Sequence, residues 1–476
     1  MPYMRDKMPH MPARKRAAPR PDWITDFNES GKARYLQIVD LIERAVANGR
    51  LAPGDRLPPQ RKLAEMMGVD LTTVTRGFSE AHRRNLIESR GPLGTFISPP
   101  KAAFMQRVDL SMNIPPPPAD VDLAALLKRG LSQVLVRSDI DLLMTYQLGG
   151  GSDTDRQAGA AWLEPILGHV DHSRVIVTPG AHSALAALML TLTKLDEPIF
   201  TEQLIYPGLP LIARQLGRRL SPVACDADGM RPDALEAAIG GTHGGGLIYL
   251  NPTICNPTAQ TMPERRRKDI LRVAARRHVK IIEDDPYWLF ADSPPAPLAS
   301  LAPQQVYYVS TLSKCISPGL RAAFLVLPEA AAQDTFLKAL RSLSLMSPPL
   351  TTSLVTQWIL DGTASEVLTG ILEESKERLH AASQILSSAS HSSTGGGIHV
   401  WQSLPEHWAA QSLAAAARAE GLVVAPSSAF CQQRDVPNAI RISLGGCARR
   451  SDLTSALRKL AELLERKPSA DDTLLI

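Results

Sequence analysis

The first hundred residues show helical spacing of apolar side chains, followed by two short β-like runs. In YLQIVDLIERAVANGRL, the apolar residues that share one helical face are Leu36, Val39, Ile42, Ala45 and Val46. This spacing predicts a helix. A second helix is predicted over 60–67, with Gly68 at its end, and a third begins near Leu71. The run IESRGPLGTFIS then predicts a hairpin.

A different pattern follows the first hundred residues. β-branched runs alternate with stretches rich in Ala, Leu and Arg, which predicts a mainly parallel sheet with helices on its faces. Pro99, Pro100 and the run Pro115 to Pro118 cannot continue a helix and favour extended backbone. The prediction is a basic tail, a helical unit with a hairpin, a stiff linker and a large α/β domain. Their bounds are 1–25, 26–99, 100–120 and 121–466.

Composition narrows the class of protein. The 476 residues are 44% hydrophobic and 21% charged, which indicates a globular protein of about two to four domains. No run approaches the roughly 18 apolar residues of a membrane span, and the N-terminus lacks the apolar segment of a signal peptide. We therefore expect a cytoplasmic location. The five cysteines are scattered without a C-x-x-C pair, so we expect neither disulfides nor a metal site.

The net charge of +4 is unevenly distributed, because basic residues outnumber acids in the first hundred. A basic end favours a polyanion as partner. For the tail alone, a disordered and solubilising role remains an equal alternative.

The short helix, glycine turn and Thr/Arg-rich third helix are typical of a helix-turn-helix that enters the major groove of double-stranded DNA. Side chains in its first turn would face base edges, and arginines beside it would contact phosphates. The candidates are Thr72, Thr73, Thr75, Arg76, Arg61, Arg90 and the hairpin glycine Gly94. The pattern also fits a small protein-interaction module with solvated arginines.

The segment PGDRLPPQRKLAEMMGVDLTTVTRGFSEAHRRNLIESRGPLGTFI resembles the winged helix-turn-helix of the GntR superfamily of bacterial transcription regulators. That resemblance favours the DNA-binding alternative. The family often has a basic residue at the position of Leu71, after a small polar residue where this chain has Asp70. No base preference can therefore be transferred.

Four stretches of the large domain carry candidate chemistry. RVIVTPGAHSALAALML predicts a strand, a turn and a helix from about Ala181, where backbone amides suit an anion, although such turns are common. In GLIYLNPTICNPTAQ, Asn256 could donate a hydrogen bond or simply shape a turn. VKIIEDDPYWLF places Asp284 and Asp285 after an apolar strand, where an acid serves either a ligand or a helix cap.

The fourth stretch, YVSTLSKCISPGLRAAFLVL, contains one lysine. Thr311 and Ser313 bracket the approach to Lys314, and Arg321 follows seven residues later. Hydroxyls, an arginine and helix amides together suit a phosphate. A lysine facing such a group and a carboxylate is equipped to form a Schiff base with a phosphorylated aldehyde.

From about residue 110 onwards the chain resembles the fold type I, class I aminotransferases, which carry pyridoxal 5'-phosphate. The matching motifs are Asn-Pro-Thr at Asn256, Asp-x-x-Tyr from Asp284 to Tyr287, Ser-Lys at Lys314 with Arg321 beyond it, and Arg-x-Ser from Arg441 to Ser443. By this resemblance Lys314 forms the aldimine, and Asp284 pairs with the pyridinium nitrogen.

The same resemblance assigns the remaining roles. Asn256 and Tyr287 contact the phenolic oxygen, Tyr206 stacks on the ring, and Arg441 grips the α-carboxylate of an amino acid. The phosphate cup would comprise Gly180, Ala181, His182, Thr311, Ser313 and Arg321. Tyr146 of the partner subunit would complete it. Two departures stand out: Ala181 and His182 replace the usual hydroxyl or Gln residues, and the segment around Tyr146 lacks the usual Pro-Gly spacing.

A winged helix-turn-helix joined to an aminotransferase-like domain resembles the MocR-type branch of the GntR regulators. This implies a multidomain fold with a three-layer α/β fold type I domain, and a homodimeric regulator that senses an amino compound through Lys314. Two alternatives remain open. One is a working aminotransferase with a DNA tether, and the other is a regulator that senses pyridoxal phosphate itself.

Overall fold

The computed structural model divides the chain into two compact units, 1–106 and 107–476. It describes residues 21, 23–24, 33–52, 54–84, 86–89, 91, 94–98, 108–241, 245–328, 333–386, 396–431, 433 and 436–468. Most of the predicted tail, Arg90 and residues 100–107 lie outside these ranges.

The first unit consists of helices followed by a hairpin. Its elements are α1 (Arg34–Ala47), α2 (Gln60–Met67), α3 (Leu71–Arg83), β1 (Ile87–Ser89) and β2 (Thr95–Ile97). The strands pair antiparallel, so the predicted helices and hairpin are confirmed. Gly68 ends α2 with a left-handed φ of 63°, which glycine adopts without steric cost. The core centres on Ile38, Ile42 and Phe78.

The second unit alternates strands with helices. Its helices are α4 (Leu123–Arg137), α5 (Ile140–Leu143), α6 (Asp153–Leu167), α7 (Ala181–Leu192), α8 (Gly208–Gln215), α9 (Pro232–Gly240), α10 (Glu264–Arg276), α11 (Leu298–Leu301), α12 (Leu312–Cys315), α13 (Gln333–Ser344), α14 (Pro349–Leu360), α15 (Thr363–Ile385), α16 (Ala410–Ala419) and α17 (Arg450–Glu465). Among the described residues, no helix combines the length and apolarity that a membrane crossing requires.

The strands of this unit form one large sheet and several small ones. They are β3 (Val108–Asp109), β4 (Val175–Thr178), β5 (Pro198–Thr201), β6 (Arg219–Pro222), β7 (Cys225–Asp226), β8 (Gly229–Met230), β9 (Leu247–Leu250), β10 (Lys280–Asp284), β11 (Val306–Thr311), β12 (Ala323–Val326), β13 (His399–Ser403), β14 (Leu422–Val423), β15 (Ala425–Pro426) and β16 (Ala439–Ser443).

The seven-stranded sheet has the order β4-β12-β11-β10-β9-β5-β6. Only β12 runs antiparallel to its neighbours in this sheet, so the prediction of a mainly parallel sheet is confirmed. Strands β9, β10 and β11 are buried nearly throughout, as expected for a sheet covered on both faces. Their carboxyl ends meet at one edge, where such folds bind ligands.

Residues 108–120 differ from the predicted linker, because they are folded against the large unit. Strand β3 pairs with β14, and the Leu110 side chain is fully buried. A Cβ atom on Gly370 would lie 2.7 Å from the backbone oxygen of Ala119. The extended backbone that the prolines favour therefore runs along the domain rather than away from it.

A buried charge network stabilises the strand that carries Asp284. Arg267 is fully buried and lies 3.5 Å from a carboxylate oxygen of Glu283. The two oxygens of this carboxylate accept one amide hydrogen each, from Leu298 and from Ala299. Asp285 accepts a hydrogen bond from the hydroxyl of Thr253. Burial raises the pKa of Asp285 to about 8, and the negative charge of Glu283 adds to this shift. The charge of Arg267 opposes this shift, but burial and Glu283 outweigh it, so folding favours the protonated form of Asp285.

Asp285→Asn is expected to reduce the pH dependence of stability. The pKa of Asp285 rises from 3.8 to about 8 on folding, so the folded chain binds more protons between these values. Stability therefore falls as the pH rises through this window, by at most about 1.4 kcal/mol per pH unit. Urea unfolding at pH 6 and pH 8 measures the fall. The exposed control Asp292→Asn should keep the original slope, and an unchanged slope in Asp285→Asn would contradict the prediction.

Candidate functional site

Lys314 lies in a short helical turn directly after the central strand β11. The side chain of Thr311 caps this turn by accepting the amide hydrogen of Ser313 at 3.2 Å. The Lys314 ammonium donates to the backbone oxygen of Asn113. Burial lowers the pKa of Lys314 to about 8, and the positive charge of Arg441 contributes to this shift. A lysine near neutrality is a better nucleophile than an exposed one.

Asp284 ends the neighbouring strand β10 and is held on two sides. The hydroxyl of Tyr249 donates to its carboxylate at 2.8 Å, and the Asn251 amide donates to its backbone oxygen at 2.7 Å. Burial raises the pKa of Asp284 to about 6, while the Tyr249 hydrogen bond and the charge of Lys314 act in the opposite direction. At neutral pH this carboxylate is mostly ionised and can pair with a protonated ring nitrogen.

Asn256 and Arg441 form the next part of the site. The Asn256 backbone amide donates to the Asn251 side chain at 2.7 Å, and the Asn256 side-chain oxygen accepts from Arg441 at 2.6 Å. Arg441 also donates to the backbone oxygen of Ser111 and stacks on Phe430, 4.8 Å from the ring centre.

The Arg441 guanidinium is buried without a carboxylate among its hydrogen-bond partners in the described residues. Its Nε atom is also buried, and it has no hydrogen-bond partner among the described residues. Burial lowers the pKa of Arg441, but an arginine keeps its charge. A ligand carboxylate would satisfy this buried cation.

A third region lies at the start of α7. Gly180 has a φ of 96°, and a Cβ atom there would lie 2.6 Å from the Arg321 guanidinium. Glycine is therefore required both by the backbone and by the close approach of Arg321. His182 follows in the first turn, and burial together with Arg321 lowers its pKa. Ala181 begins the helix, so amides and one guanidinium face the same end of α7.

The tyrosines predicted for the site differ in their environment. Tyr287 is buried and its hydroxyl accepts from Asn113 at 2.7 Å; burial raises its pKa. Burial and the nearby charge of Asp284 raise the pKa of Tyr206. Tyr146 is 74% exposed in the loop after α5, so its assignment to a neighbouring subunit stays a prediction.

Sequence reasoning missed several residues of this site. Tyr249 precedes Asn251 by two positions, and this spacing on a strand could have placed its hydroxyl beside Asp284. Asn113 lies in the proline-rich stretch and gave no such signal. His399 is fully buried between Asn113 and the backbone oxygen of Cys255. Burial lowers the pKa of His399 to about 3, so this ring is neutral.

Together these groups fit pyridoxal 5'-phosphate. Lys314 offers an amine to an aldehyde, Asp284 an anion to a pyridinium nitrogen, and Arg321 with the first turn of α7 a cradle for a phosphate. The Arg441 Nε has no hydrogen-bond partner among the described residues, so this cation is not fully compensated by the protein. The buried hydroxyls of Thr311 and Ser313 hydrogen-bond to each other at 3.1 Å.

The residues of the first unit that are predicted to bind DNA differ in solvent exposure. Arg61, Thr72 and Arg76 are exposed. Thr73 is half-buried. The hydroxyl of Thr75 lies 2.8 Å from the Gln60 side chain, so it connects α3 to the start of α2 as well as facing solvent. Gly94 and Arg90 of the hairpin were also predicted to bind DNA. Gly94 has a φ of 108°, and Arg90 lies outside the described residues.

Family models match both units. The aminotransferase class I and II model matches residues 107–460, which is most of the chain. The model of bacterial regulatory proteins of the gntR family matches residues 34–97. These two matches follow each other along the chain and meet near the division between the two units.

Similar proteins include HTH-type transcription regulators and an aminotransferase. The HTH-type transcriptional regulator YdeF of Bacillus subtilis is 26% identical, covering 93% of this chain and 97% of its own. The HTH-type pyridoxine biosynthesis regulator PdxR of Corynebacterium glutamicum is 27% identical, covering 72% and 75%. The crystal structure of an archaeal alanine:glyoxylate aminotransferase aligns with a TM-score of 0.68 at 27% identity, covering 75% and 90%. The chain therefore belongs to the class I and II aminotransferase family, with the domain architecture of the MocR-type GntR regulators.

Proposed function

We propose that this protein is a transcription regulator whose DNA binding responds to pyridoxal 5'-phosphate and an amino compound in the large unit. The observation that carries the proposal is that one chain combines a winged helix-turn-helix with Lys314, Asp284, Arg321 and Arg441, whose chemistry suits the cofactor and an amino compound. One relative is described as an HTH-type regulator of pyridoxine biosynthesis, which supports a signal related to vitamin B6.

Each residue of the site has a defined task in this proposal. When bound, pyridoxal phosphate supplies an aldehyde for Lys314 and a ring that withdraws electrons. Asp284 keeps the ring nitrogen protonated, and the Tyr249 hydrogen bond at 2.8 Å fixes that carboxylate in place. Arg321 and the first turn of α7 neutralise the phosphate. Arg441 orients the carboxylate of an amino compound.

Two alternatives to an amino-compound sensor predict different experimental results. If pyridoxal phosphate itself is the signal, DNA affinity follows its concentration with no amino compound present. If the chain is a working aminotransferase, it releases keto acids from amino acids. The retention of Lys314, Asp284 and Arg441 supports this last alternative. Spectral changes without keto acid release favour the sensor.

An apolar surface supports the predicted homodimer. The residues around α5 expose large apolar side chains, including Val136, which is 85% exposed, and Met144, which is 82% exposed. Others in the same stretch are Ile140, Leu142 and Tyr146. Several exposed large apolar side chains within one stretch of the chain favour an interaction site. We propose a second copy of the chain as its partner, so that Tyr146 reaches the neighbouring cofactor and two DNA-binding units address paired half-sites. We also propose a cytoplasmic location, since a DNA-binding role requires access to DNA.

Lys314→Ala is expected to abolish the visible absorption that appears when pyridoxal phosphate binds, because Lys314 is the lysine whose charge acts on Asp284 among the described residues. Absorption spectra during titration with the cofactor measure this, and circular dichroism checks the fold. Lys338→Ala, at an exposed position of α13, should absorb like the unsubstituted chain. Unchanged absorption in Lys314→Ala would refute the lysine assignment.

Arg76→Ala is expected to weaken DNA binding, because Arg76 is exposed on α3 near its first turn. A bidentate base contact would be worth about 1 to 3 kcal/mol and would set the preference at one base pair. Fluorescence anisotropy with labelled DNA measures the affinity. Arg418→Ala removes an equal charge from the surface of the large unit and should bind normally. Normal binding by Arg76→Ala would place recognition elsewhere.

A further inference from the structure

A second cavity lies between the large sheet and the small sheet that carries Arg441. Its volume is about 310 Å³. Residues that follow β5 and β9 form one wall, and the opposite wall includes Trp401 of β13. Of the described residues that line this cavity, none is Arg441 or one of the candidates for binding the cofactor. The cavity is therefore distinct from the site around Lys314.

Hydrogen bonds and ring packing join the two sheets directly beside this cavity. The Ile205 amide donates to the backbone oxygen of Phe430 at 3.0 Å. The Gln203 side chain donates to the Gln433 side chain at 3.2 Å. The Trp401 ring packs edge-on against Phe430, with 6.1 Å between the ring centres. The walls of the cavity are therefore already formed in the chain without a ligand, as is usual for small-molecule sites.

Glu202 supplies a carboxylate to the wall of this cavity. One of its oxygens accepts the Met230 amide hydrogen at 3.1 Å, and the other lies 3.7 Å from the Cys255 sulfur. A Cβ atom on Gly229 would lie 2.8 Å from the first oxygen, so the absence of a side chain at Gly229 leaves the carboxylate uncovered. Since a thiol is a weak donor, the second oxygen lacks a strong hydrogen bond among the described residues.

No lysine, arginine or histidine lines this cavity among the described residues. Two further carboxylates of the wall already have cationic partners: Asp226 pairs with Arg266 at 2.8 Å, and Asp228 pairs with Arg265. Glu202 has no such ion pair in the described part of the chain. Burial raises the pKa of Glu202 to about 7, and the charge of Arg266 opposes this shift only in part. A buried carboxylate is unfavourable without an opposite charge, so Glu202 would gain from a cationic ligand.

Apolar side chains form much of the remaining wall. They belong to Leu204, Pro252, Met262 and Trp401. Burial raises the pKa of the Cys225 thiol in this wall to about 12, so the thiol is neutral. A small cavity with apolar walls and a few polar groups is typical of a ligand site, because the apolar walls supply affinity and the polar groups fix orientation. Here the group that fixes orientation is a single carboxylate.

We propose that this cavity binds an apolar organic cation, whose charged nitrogen pairs with the Glu202 carboxylate and whose body packs against Trp401 and Met262. The ligand is an amine without a carboxylate, because the described wall offers a carboxylate no cation. The ligand contacts both sheets, and Trp401 is the cross-strand neighbour of Arg441. The cavity is separate from Lys314, so the inference does not rest on the proposed function.

Calorimetric titration of the full chain in the presence of pyridoxal phosphate tests this with two matched probes. N,N-dimethyl-2-phenylethylamine is cationic at neutral pH and, as a tertiary amine, forms no Schiff base with the cofactor. 2-Phenylethanol has the same ring and no charge. The amine should bind about tenfold more tightly, the change expected for one hydrogen bond to a charged group. Equal affinity, or no binding of the amine, would overturn the inference and leave the proposed function intact.

A substitution at Glu202 shows whether the carboxylate causes this preference. Glu202→Gln retains the shape of the side chain and an oxygen that can accept the Met230 amide hydrogen, but it removes the charge. The variant should bind the amine and the alcohol equally. The control Glu373→Gln, at an exposed position of α15, should retain the tenfold preference. The same preference in a folded Glu202→Gln chain would contradict the inference.

Proton release gives a complementary measurement that requires no variant. The pKa of Glu202 is raised to about 7, and pairing with a cation favours the ionised carboxylate. At pH 7 the amine should therefore release about half a proton on binding, whereas the alcohol should release none. Titrations in two buffers with different enthalpies of ionisation measure this release. Binding of the amine without proton release would place the cation away from Glu202 and overturn the inference.

Discussion

Two cations, Lys314 and Arg441, are buried close enough for the charge of Arg441 to help lower the pKa of Lys314. Burial of charge is unfavourable unless hydrogen bonds or opposite charges compensate it. Asp284 compensates Lys314 from the end of β10, whereas Arg441 is hydrogen-bonded to neutral oxygens. The site thus has an excess of positive charge and suits an anionic ligand.

The fold explains how these groups come together. Residues far apart in sequence meet because β9, β10 and β11 are parallel neighbours whose carboxyl ends share one edge. Arg441 comes from a separate small sheet, where β16 pairs with β13 and β15. The charge network of Arg267 and Glu283 fixes β10 from within the core. The edge of the large sheet and the small sheet that carries Arg441 therefore supply groups to the site from two separate parts of the fold.

The amino-acid sequence predicted the helices and strand ends that depend on local residue patterns. The helices of the first unit followed from apolar spacing and Gly68, and the strand ends before Asn256, Asp284 and Lys314 followed from apolar runs that stop at polar residues. The path of residues 108–120 could not be predicted, because proline stretches fit a free linker and an arm packed on a domain equally well. Asn113 was missed for that reason: its contacts depend on tertiary structure alone.

The central claim is that occupancy of the Lys314 site changes the affinity of the other unit for DNA. Its most direct test is DNA affinity measured by anisotropy while pyridoxal phosphate, and then a set of amino acids, is added to the unsubstituted chain and to Lys314→Ala. The account predicts a change in affinity at one of these additions in the unsubstituted chain and none in the variant. An affinity that stays constant throughout, with the cofactor bound, would contradict it.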